Sequence, residues 1–587
     1  MNILPSFKYS PLNCETNDIR LVRLLEENSG HVLSCQLQHF PSASRPPYLA
    51  LSYTWGDPKD TVPISLNDHS LNIARNLLSF LQHSRHRSKS PITFSEALWF
   101  DDEPLEPDGQ WLWIDAICID QSNIPERNLQ VRRMKEIYER AEGVITWLGP
   151  ASDDSDIAFA VIRSLGRATI QAYKATGKYD PNAMVAVGRA FGRKEWDAVQ
   201  KVFHRPWWNR AWICQEVTTP TKGEKRAMAW CGHNQIDWDY FGIASVYILD
   251  AELERALEKS ENISNMRIRT LACMTADRKT LGKNRVNDLL HLLGTNRDCE
   301  TSDPRDKIYA FLAISNDGQE IQADYEKPVA AVYTELATKS IKRDRRLDVL
   351  GYSCLEHIGL DLPSWVPNWS LKSIANRLCL AGYQSDGTFR RTYHANKGLK
   401  GSIGFTGGGR VLRVKGFVFD SAILVSWSRT FTSLSASEIM LRWRAQALHN
   451  GPNYVTGGTV IDALQHTLCA DIEEDDVKLS ERGRKVNPFP QDGGEEAAWS
   501  TSMPLLRATQ NRKLVSTLGH YMGLVPELTE LEDKICILSG ASVPFVLRQE
   551  GNHWVLVGES YIHGIMDGEA VSTFKASGRE IEIFEIW

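Results

Sequence analysis

Nowhere in this 587-residue chain is there a run of about 18 uninterrupted apolar residues, so a membrane-spanning helix is not expected. Its first residues, MNILPSFKYSPLNCETNDIR, lack the basic stretch followed by an apolar one that marks an export signal, and the expected setting is the cytoplasm. The 11 cysteines include no CxxC pair and no even framework, which points to reduced, mostly buried thiols rather than disulfides. Basic residues are not in excess. Lys and Arg number 67 against 73 Asp and Glu, a net charge of −6, and this argues against a dedicated nucleic-acid binder. His69, His83, His86, His204, His233 and His563 show no metal-ligand spacing with cysteine, so no metal site is expected. Residues 401–409 are glycine-rich but lack the Lys-Ser/Thr of a phosphate loop and precede a strand, so they read as a loop. Gly558-Glu559-Ser560-Tyr561-Ile562 misses the second glycine of a nucleophile elbow. No internal repeat is visible.

What is present fits a multi-domain globular protein. Hydrophobic content of 42% and charged content of 24% are ordinary for a folded domain, and the length suggests about two to four domains. Residues 48–57, YLALSYTWGD, read as a short apolar strand that breaks into a polar turn at Gly56. Val62 to Leu66 and Ser70 to Ile73 flank Asn67-Asp68-His69 as a hairpin, and residues 74–86 form an amphipathic helix with Leu77, Leu78 and Leu81 inward. An acidic, proline-bearing loop at residues 96–109 leads into Trp111 to Ile119, WLWIDAICI, a second buried strand. Ser122-Asn123-Ile124-Pro125-Glu126 then supplies a cap, an early proline and an acidic first turn. The helix that follows places Val131, Met134, Ile137, Tyr138 and Ala141 on one face, and extended structure resumes at Val144. This is a βαβ unit with parallel strands, in which Trp113 and Ile117 should face the core.

Residues 205–216, RPWWNRAWICQE, put Glu216 four residues after Trp212, one helical turn away, with Arg210 close by. An apolar wall and a cationic neighbour tune carboxylates for catalysis, although the same cluster also suits a packed structural corner. Beyond it the pattern is mainly helical, with helices expected at 155–175, 183–203, 240–259, 286–294 and 328–342. Asp303-Pro304 reads as a helix cap and first-turn proline, with Arg305, Asp306 and Lys307 in local ion pairs. Strand-period alternation marks 411–419, 544–548 and 553–558, and helices are expected at 436–449 and 495–522, separated by an acidic disordered link at 473–492. The turn-rich residues 218–223 suggest a boundary near 220, giving three regions: 1–220, a mainly helical 221–400, and a mixed 401–587 with β-strands.

The three blocks LSYTWGD, LWIDAICIDQ with the downstream ERNLQVRRMKEIYERAEGVITWLG, and RPWWNRAWICQE resemble, in order, those of the fungal heterokaryon incompatibility (HET) domain family. DPRDKIYA at 303–310, LPSWVP at 362–367 and VGESYIHGIMDGE at 557–569 look like recurring elements of full-length HET proteins, so the resemblance covers most of the chain. Within residues 48–216 the layout also resembles, remotely, the Toll/interleukin-1 receptor (TIR) domain. LSYTWGD is similar to that family's strand, Ser-Tyr, glycine and acidic residue, and Trp212 to Glu216 is similar to its Trp-x-x-x-Glu helix. The fold implied is an α/β, TIR-like (flavodoxin-like) domain with a parallel sheet, whose ligand site lies at the carboxyl ends of the strands.

That second resemblance implies a catalytic role for Glu216, the carboxylate that in NAD-hydrolysing TIR domains stabilises an oxocarbenium-like centre as nicotinamide leaves. Ser52, Tyr53, Trp55, Gly56, Asp57, Asp115, Asp120, Gln121, Arg210 and Trp212 are then the candidate binding residues, with NAD as a substrate and no resident cofactor. If Arg210 pairs permanently with Glu216, the carboxylate is instead a structural partner. Two functional classes stay open: an NAD glycohydrolase that triggers programmed cell death in fungal allorecognition, or a non-catalytic module that self-associates or engages a protein partner. An open cleft carboxylate would contribute little to folding, so Glu216→Ala is expected to leave unfolding nearly unchanged.

Overall fold

The structure, a computed structural model, describes residues 4–25, 33–87, 109–152, 154–176, 186–218, 226–238, 240–242, 244, 288–355, 359–372, 377–378, 381–383, 389–426, 436–449, 451–472 and 503–587. The described residues up to Glu326 form one compact unit and those from Lys327 onward a second. Most of the 96–109 loop, most of the expected 240–259 helix and the 473–492 link lie outside the described residues.

The first unit is built on a nine-stranded sheet. Its strands are β1 (Ile19–Leu24), β2 (Ser34–Phe40), β3 (Tyr48–Tyr53), β4 (Thr61–Leu66), β5 (His69–Ala74), β6 (Trp111–Trp113), β7 (Gly143–Trp147), β8 (Arg226–Cys231) and β9 (Asn234–Asp237), in the order β5-β4-β2-β1-β6-β3-β7-β8-β9. The expected parallel arrangement holds for the four central strands β6, β3, β7 and β8. The sheet as a whole is mixed, because β1 runs antiparallel to both β2 and β6, and β5 and β9 fold back on β4 and β8. Asn67 and Asp68 both have positive φ, the backbone that a tight two-residue hairpin requires.

Helices α1 (Arg75–Arg87), α2 (Asp115–Cys118), α3 (Ile124–Arg140), α4 (Ser155–Thr176), α5 (Arg193–Phe203), α6 (Ile213–Thr218), α7 (Leu289–Thr295) and α8 (Asp306–Leu312) complete this unit. In α1, Leu77 and Leu81 are buried as expected, while Phe80 takes the inner place and Leu78 is half-buried. In α3, Asn123 caps the Glu126 amide, and Met134, Ile137, Tyr138 and Ala141 are buried. Trp113 and Ile117 are fully buried too, and Trp113 meets the Tyr138 ring edge-on at 5.5 Å. The expected strand at 111–119 stops at Trp113 and turns helical at Asp115, because an unbroken apolar run carries no period to separate strand from helix. The expected 183–203 helix is interrupted at Gly192, where the Glu195 side chain accepts from the Gly192 amide at 3.0 Å and starts α5 anew.

The second unit begins with α9 (Val329–Asp344), which ends at Arg345 in the left-handed conformation. A short ribbon, β10 (Ala381–Tyr383) and β11 (Phe389–Arg391), precedes β12 (Ile403–Thr406) and the long β13 (Val411–Val425). Residues 401–409, expected to be a loop, thus hold a strand, and only Gly407, Gly408 and Gly409, all at positive φ, turn the chain back. Helices α10 (Ala436–Leu448), α11 (Val460–Leu468) and α12 (Met503–Thr509) follow. The expected helix at 495–522 gives way to β14 (Arg512–Thr517) and β15 (Met522–Pro526), whose apolar Leu514, Val515, Leu524 and Val525 are buried in sheet pairing. Then come β16 (Lys534–Leu538), β17 (Phe545–Glu550), β18 (His553–Glu559), β19 (Tyr561–Ile562), α13 (Glu569–Ala576) and β20 (Glu582–Ile586). Pairing runs from β13 to β16, β17, β18, β20 and back to β13, which closes five strands into a barrel. Phe417, Ile535, Ile537, Val546 and Val557 belong to its core, and Phe574 of α13 stacks on Phe417 at 4.0 Å.

Because Ile137 sits on the inner face of α3, Ile137→Asp places an unpaired charge in the core of the first unit. It is expected to cost about 3–5 kcal/mol of that unit's stability in urea denaturation. A soluble variant melting like wild type contradicts this register.

Candidate functional site

Parallel strands bring the turns at their carboxyl ends together. β3 ends at Tyr53 and its parallel neighbour β6 at Trp113, so the turn after β3 faces α2. Asn76 of α1 secures that turn, donating from Nδ2 to the Thr54 carbonyl at 2.6 Å while accepting from Trp147 Nε1 at 3.0 Å. Gly56 has φ +81°, which a side chain adopts only under strain. The turn thereby presents Trp55, 41% exposed, whose indole donates to Asp115 Oδ2 at 2.9 Å.

Beneath this pair lies Glu216, 1% exposed. Arg210 grips it with two parallel bonds, Nη1 to Oε2 at 2.9 Å and Nη2 to Oε1 at 3.0 Å. The Ser52 hydroxyl donates to Oε2 and itself accepts from Trp207 Nε1 at 2.9 Å. Each carboxylate oxygen therefore already receives a charge-assisted hydrogen bond. Burial opposes the charge on Arg210, but Glu216 and then Asp115 outweigh it and hold the guanidinium above its ordinary value. Asp115 is pushed up to about 6 by burial, partly offset by Arg210 and reinforced by Glu216. Tyr53 is fully buried, with its phenol pushed well up by that burial, and among the described residues its hydroxyl has no hydrogen-bond partner.

Of the residues singled out in the sequence, Ser52, Arg210 and Glu216 are hydrogen-bonded to one another, Trp55 bonds to Asp115, and the two groups meet through the charge of Arg210 acting on Asp115, whose carbonyl accepts from Gln121 at 3.1 Å. Asp57 is exposed and accepts from the Lys59 amide, while Asp120 accepts from Ser122, so both serve their own turns. The Trp212 side chain faces Asp306 instead of this cluster. Sequence reasoning missed Trp207 and Asn76 as members of the site. Trp207 stands in the quoted RPWWNRAW stretch, but nothing in its spacing separates a polar contact from core packing. Among the described residues no cluster of His, Cys, Asp and Glu suits a metal ion.

A mixed α/β sheet with a polar cluster at its parallel strand ends, followed by a small β-barrel, now has a family to set beside it. Residues 48–216, from the first residue of β3 to the buried carboxylate, match the family described as heterokaryon incompatibility protein (HET), and residues 495–579 match the Het-6 beta-barrel domain. The chain thus carries a HET domain and a Het-6 barrel.

Along nearly its whole length the chain is similar to heterokaryon incompatibility protein 6, OR allele, of Neurospora crassa, with 25% identity over 676 aligned residues that cover 96% of this chain and 93% of that protein. It is also similar to vegetative incompatibility protein HET-E-1 of Podospora anserina, 24% identical over 204 residues, 35% of this chain and 11% of that protein. No solved structure matches it.

The burial of Glu216 overturns the expectation that its removal is mild. Glu216→Ala strands a buried guanidinium and should cost about 3–5 kcal/mol in urea denaturation, whereas Arg210→Met with Glu216→Leu should recover most of that loss. Asp115 gives a pH test. Its folded value of about 6 exceeds its ordinary 3.8, so the folded state holds the proton longer, and stability falls as pH rises between those values. The advantage of Asp115→Asn over wild type should therefore grow from about pH 4 to about pH 6 and level off above, as read from denaturation midpoints.

Proposed function

We propose that this chain acts in heterokaryon incompatibility-type non-self recognition leading to programmed cell death, with the HET domain as its signalling element. The similarity to the Neurospora crassa protein over 96% of the chain supports the role. Four parallel strands with a polar cluster at their carboxyl ends and α6 beside it support a TIR-like reading of the domain. The observation that favours signalling over chemistry is the bidentate Arg210–Glu216 pair. A carboxylate that is 1% exposed and bonded at both oxygens has no open face for a sugar ring, so in this state the domain works as a non-catalytic module through self-association or a protein partner.

A second reading, NAD glycohydrolase, is favoured by the unpartnered Tyr53 hydroxyl beside Asp115 and Arg210, a hydrogen-bonding group left over where a ligand would supply the partner. In that reading Arg210 swings away and Glu216 steadies the positive ribose carbon as the N-glycosidic bond breaks. Nicotinamide leaves with the bonding pair, and water adds to the ribose carbon and gives its proton to solvent.

The test combines cells with purified protein. Fungal cells overexpressing the full chain should stop growing, and those expressing the Arg210→Met, Glu216→Leu double variant should stop equally. Purified full-length protein at high concentration should leave NAD intact. Nicotinamide release by wild type that the double variant loses, together with loss of growth arrest, replaces the signalling reading with the catalytic one.

A further inference from the structure

Residues 288–326 lie beyond the 48–216 match, yet they pack within the same compact unit and converge on one short segment of it. Glu300 forms a parallel bridge with Arg210: the Ala211 amide donates to the Glu300 carbonyl at 3.2 Å, and the Glu300 amide donates to the Asn209 carbonyl at 2.5 Å. The Cys214 thiol donates to Asn296 Oδ1 at 3.5 Å, and α8 packs on α6. Asp306, the first residue of α8, accepts from the Tyr325 hydroxyl and faces the Trp212 side chain. Asn209, Ala211, Trp212 and Cys214 are thus all contacted, at backbone or side chain, by residues outside the matched domain.

The far end of this segment is anchored on α3. The Arg127 guanidinium lies 3.6 Å from the centroid of the Tyr325 ring and pairs with Asp303 at 3.6 Å. The Tyr325 amide donates to Asn128 Oδ1 at 2.8 Å, and Arg132 donates twice to the Ala323 carbonyl, at 3.0 and 2.7 Å. Its interior is tied as well, since Arg305 grips Asp303 through both oxygens and Lys307 donates to the Arg297 carbonyl at 2.8 Å. The segment is therefore stiff, fixed on α3 at one end and clasping the Arg210 loop at the other.

We propose that residues 296–326 are a strap that holds Arg210 across Glu216, with the Trp212–Asp306 contact as its latch, so that release of the strap uncovers the carboxylate. The proposal rests on the second reading above, in which Arg210 swings off Glu216 and the pair is a resting-state lock. Arg210 and Glu216 sit at the two ends of a single turn and helix start. Displacing residues 209–214 while Ser52 of β3 keeps Glu216 in place parts the guanidinium from the carboxylate, and both bonds of the pair then break together. The latch is the natural point of release: Asp306 is a buried carboxylate that accepts from the Tyr325 hydroxyl and is steadied by the Trp212 side chain, and losing either leaves its charge less well compensated.

Hydrogen–deuterium exchange on the full-length protein tests the strap without reference to any activity. In wild type, amides of 209–218 and of 296–306 should open together, at one shared rate. Asp306→Asn, which keeps the shape but turns an acceptor into a donor, and Trp212→Phe, which removes the indole N–H, should each speed exchange in 209–218 about tenfold or more. The strands Tyr48–Tyr53 and Gly143–Trp147 should stay as slow as in wild type. Separate opening rates in wild type, unchanged exchange at 209–218 in folded variants, or an even rise across the whole unit overturns the strap. If Asp306→Asn does not fold, Trp212→Phe and the wild-type rates decide alone. Nicotinamide release and growth arrest, measured on the same variants, report separately on the lock. Faster exchange with neither output altered upholds the strap and overturns the reading of the pair as a resting-state lock.

Discussion

A guanidinium taken out of water needs an anion within reach, and the first unit of this protein is arranged around that requirement. Arg210 is 16% exposed at its side chain, and its partner Glu216 is almost wholly covered. To meet the need, the chain brings a hydroxyl from β3, an indole from the 205–216 stretch and a carboxylate from α6 to one point. Asp115, on the outer side, feels the same positive charge and is itself capped by Trp55. Removing the arginine would leave two carboxylates close together with nothing between them, so the turns after β3 and β6, and the start of α6, are fixed by one cation. Charge balance rather than apolar packing sets the geometry at the mouth of the sheet.

Long periodic segments were legible in the sequence because their pattern is local. The α3 face, the 62–73 hairpin, α4 and α9 all come from spacing that neighbours can enforce. β1 was not legible, and the reason is a single residue. Arg20, its second residue, points inward, buried and paired with Glu126 of α3, so the strand carries a charge where the pattern asks for an apolar side chain. Residues 512–526 went the other way: a helical reading lost to the local hairpin of β14 with β15 and to the pairing of β14 with β13, far off in sequence, which no local window registers. At the site, the polar residues were visible one by one from the resemblance, but their connection was not. The loop that carries Arg210 is bridged by Glu300, a residue 90 positions further along the chain, a contact that no local window registers.

The second unit has its own buried ion pair. Arg512 at the start of β14 donates to Glu559 at the end of β18 at 3.1 Å, with both side chains inside. Burial pulls the arginine below its ordinary value, against the attraction of Glu559, so the pair resolves in the opposite direction from Arg210 and Glu216. At Arg210 the attraction and hydrogen bonds of Glu216, with Asp115 after them, outweigh burial, whereas at Arg512 the attraction of Glu559 does not.

The long strand β13 has a consequence for how this protein is made. Its first four residues pair with β12, which has already left the ribosome when they appear. Its other edge and its remaining length pair with β14, β16 and β20, which emerge between about 90 and 170 residues later. For that interval, on the order of ten seconds of synthesis, β13 has open edges everywhere except where it meets β12. The barrel closes only when β20, the last strand of all, is delivered, so during translation the second unit depends on whatever shields β13 until then.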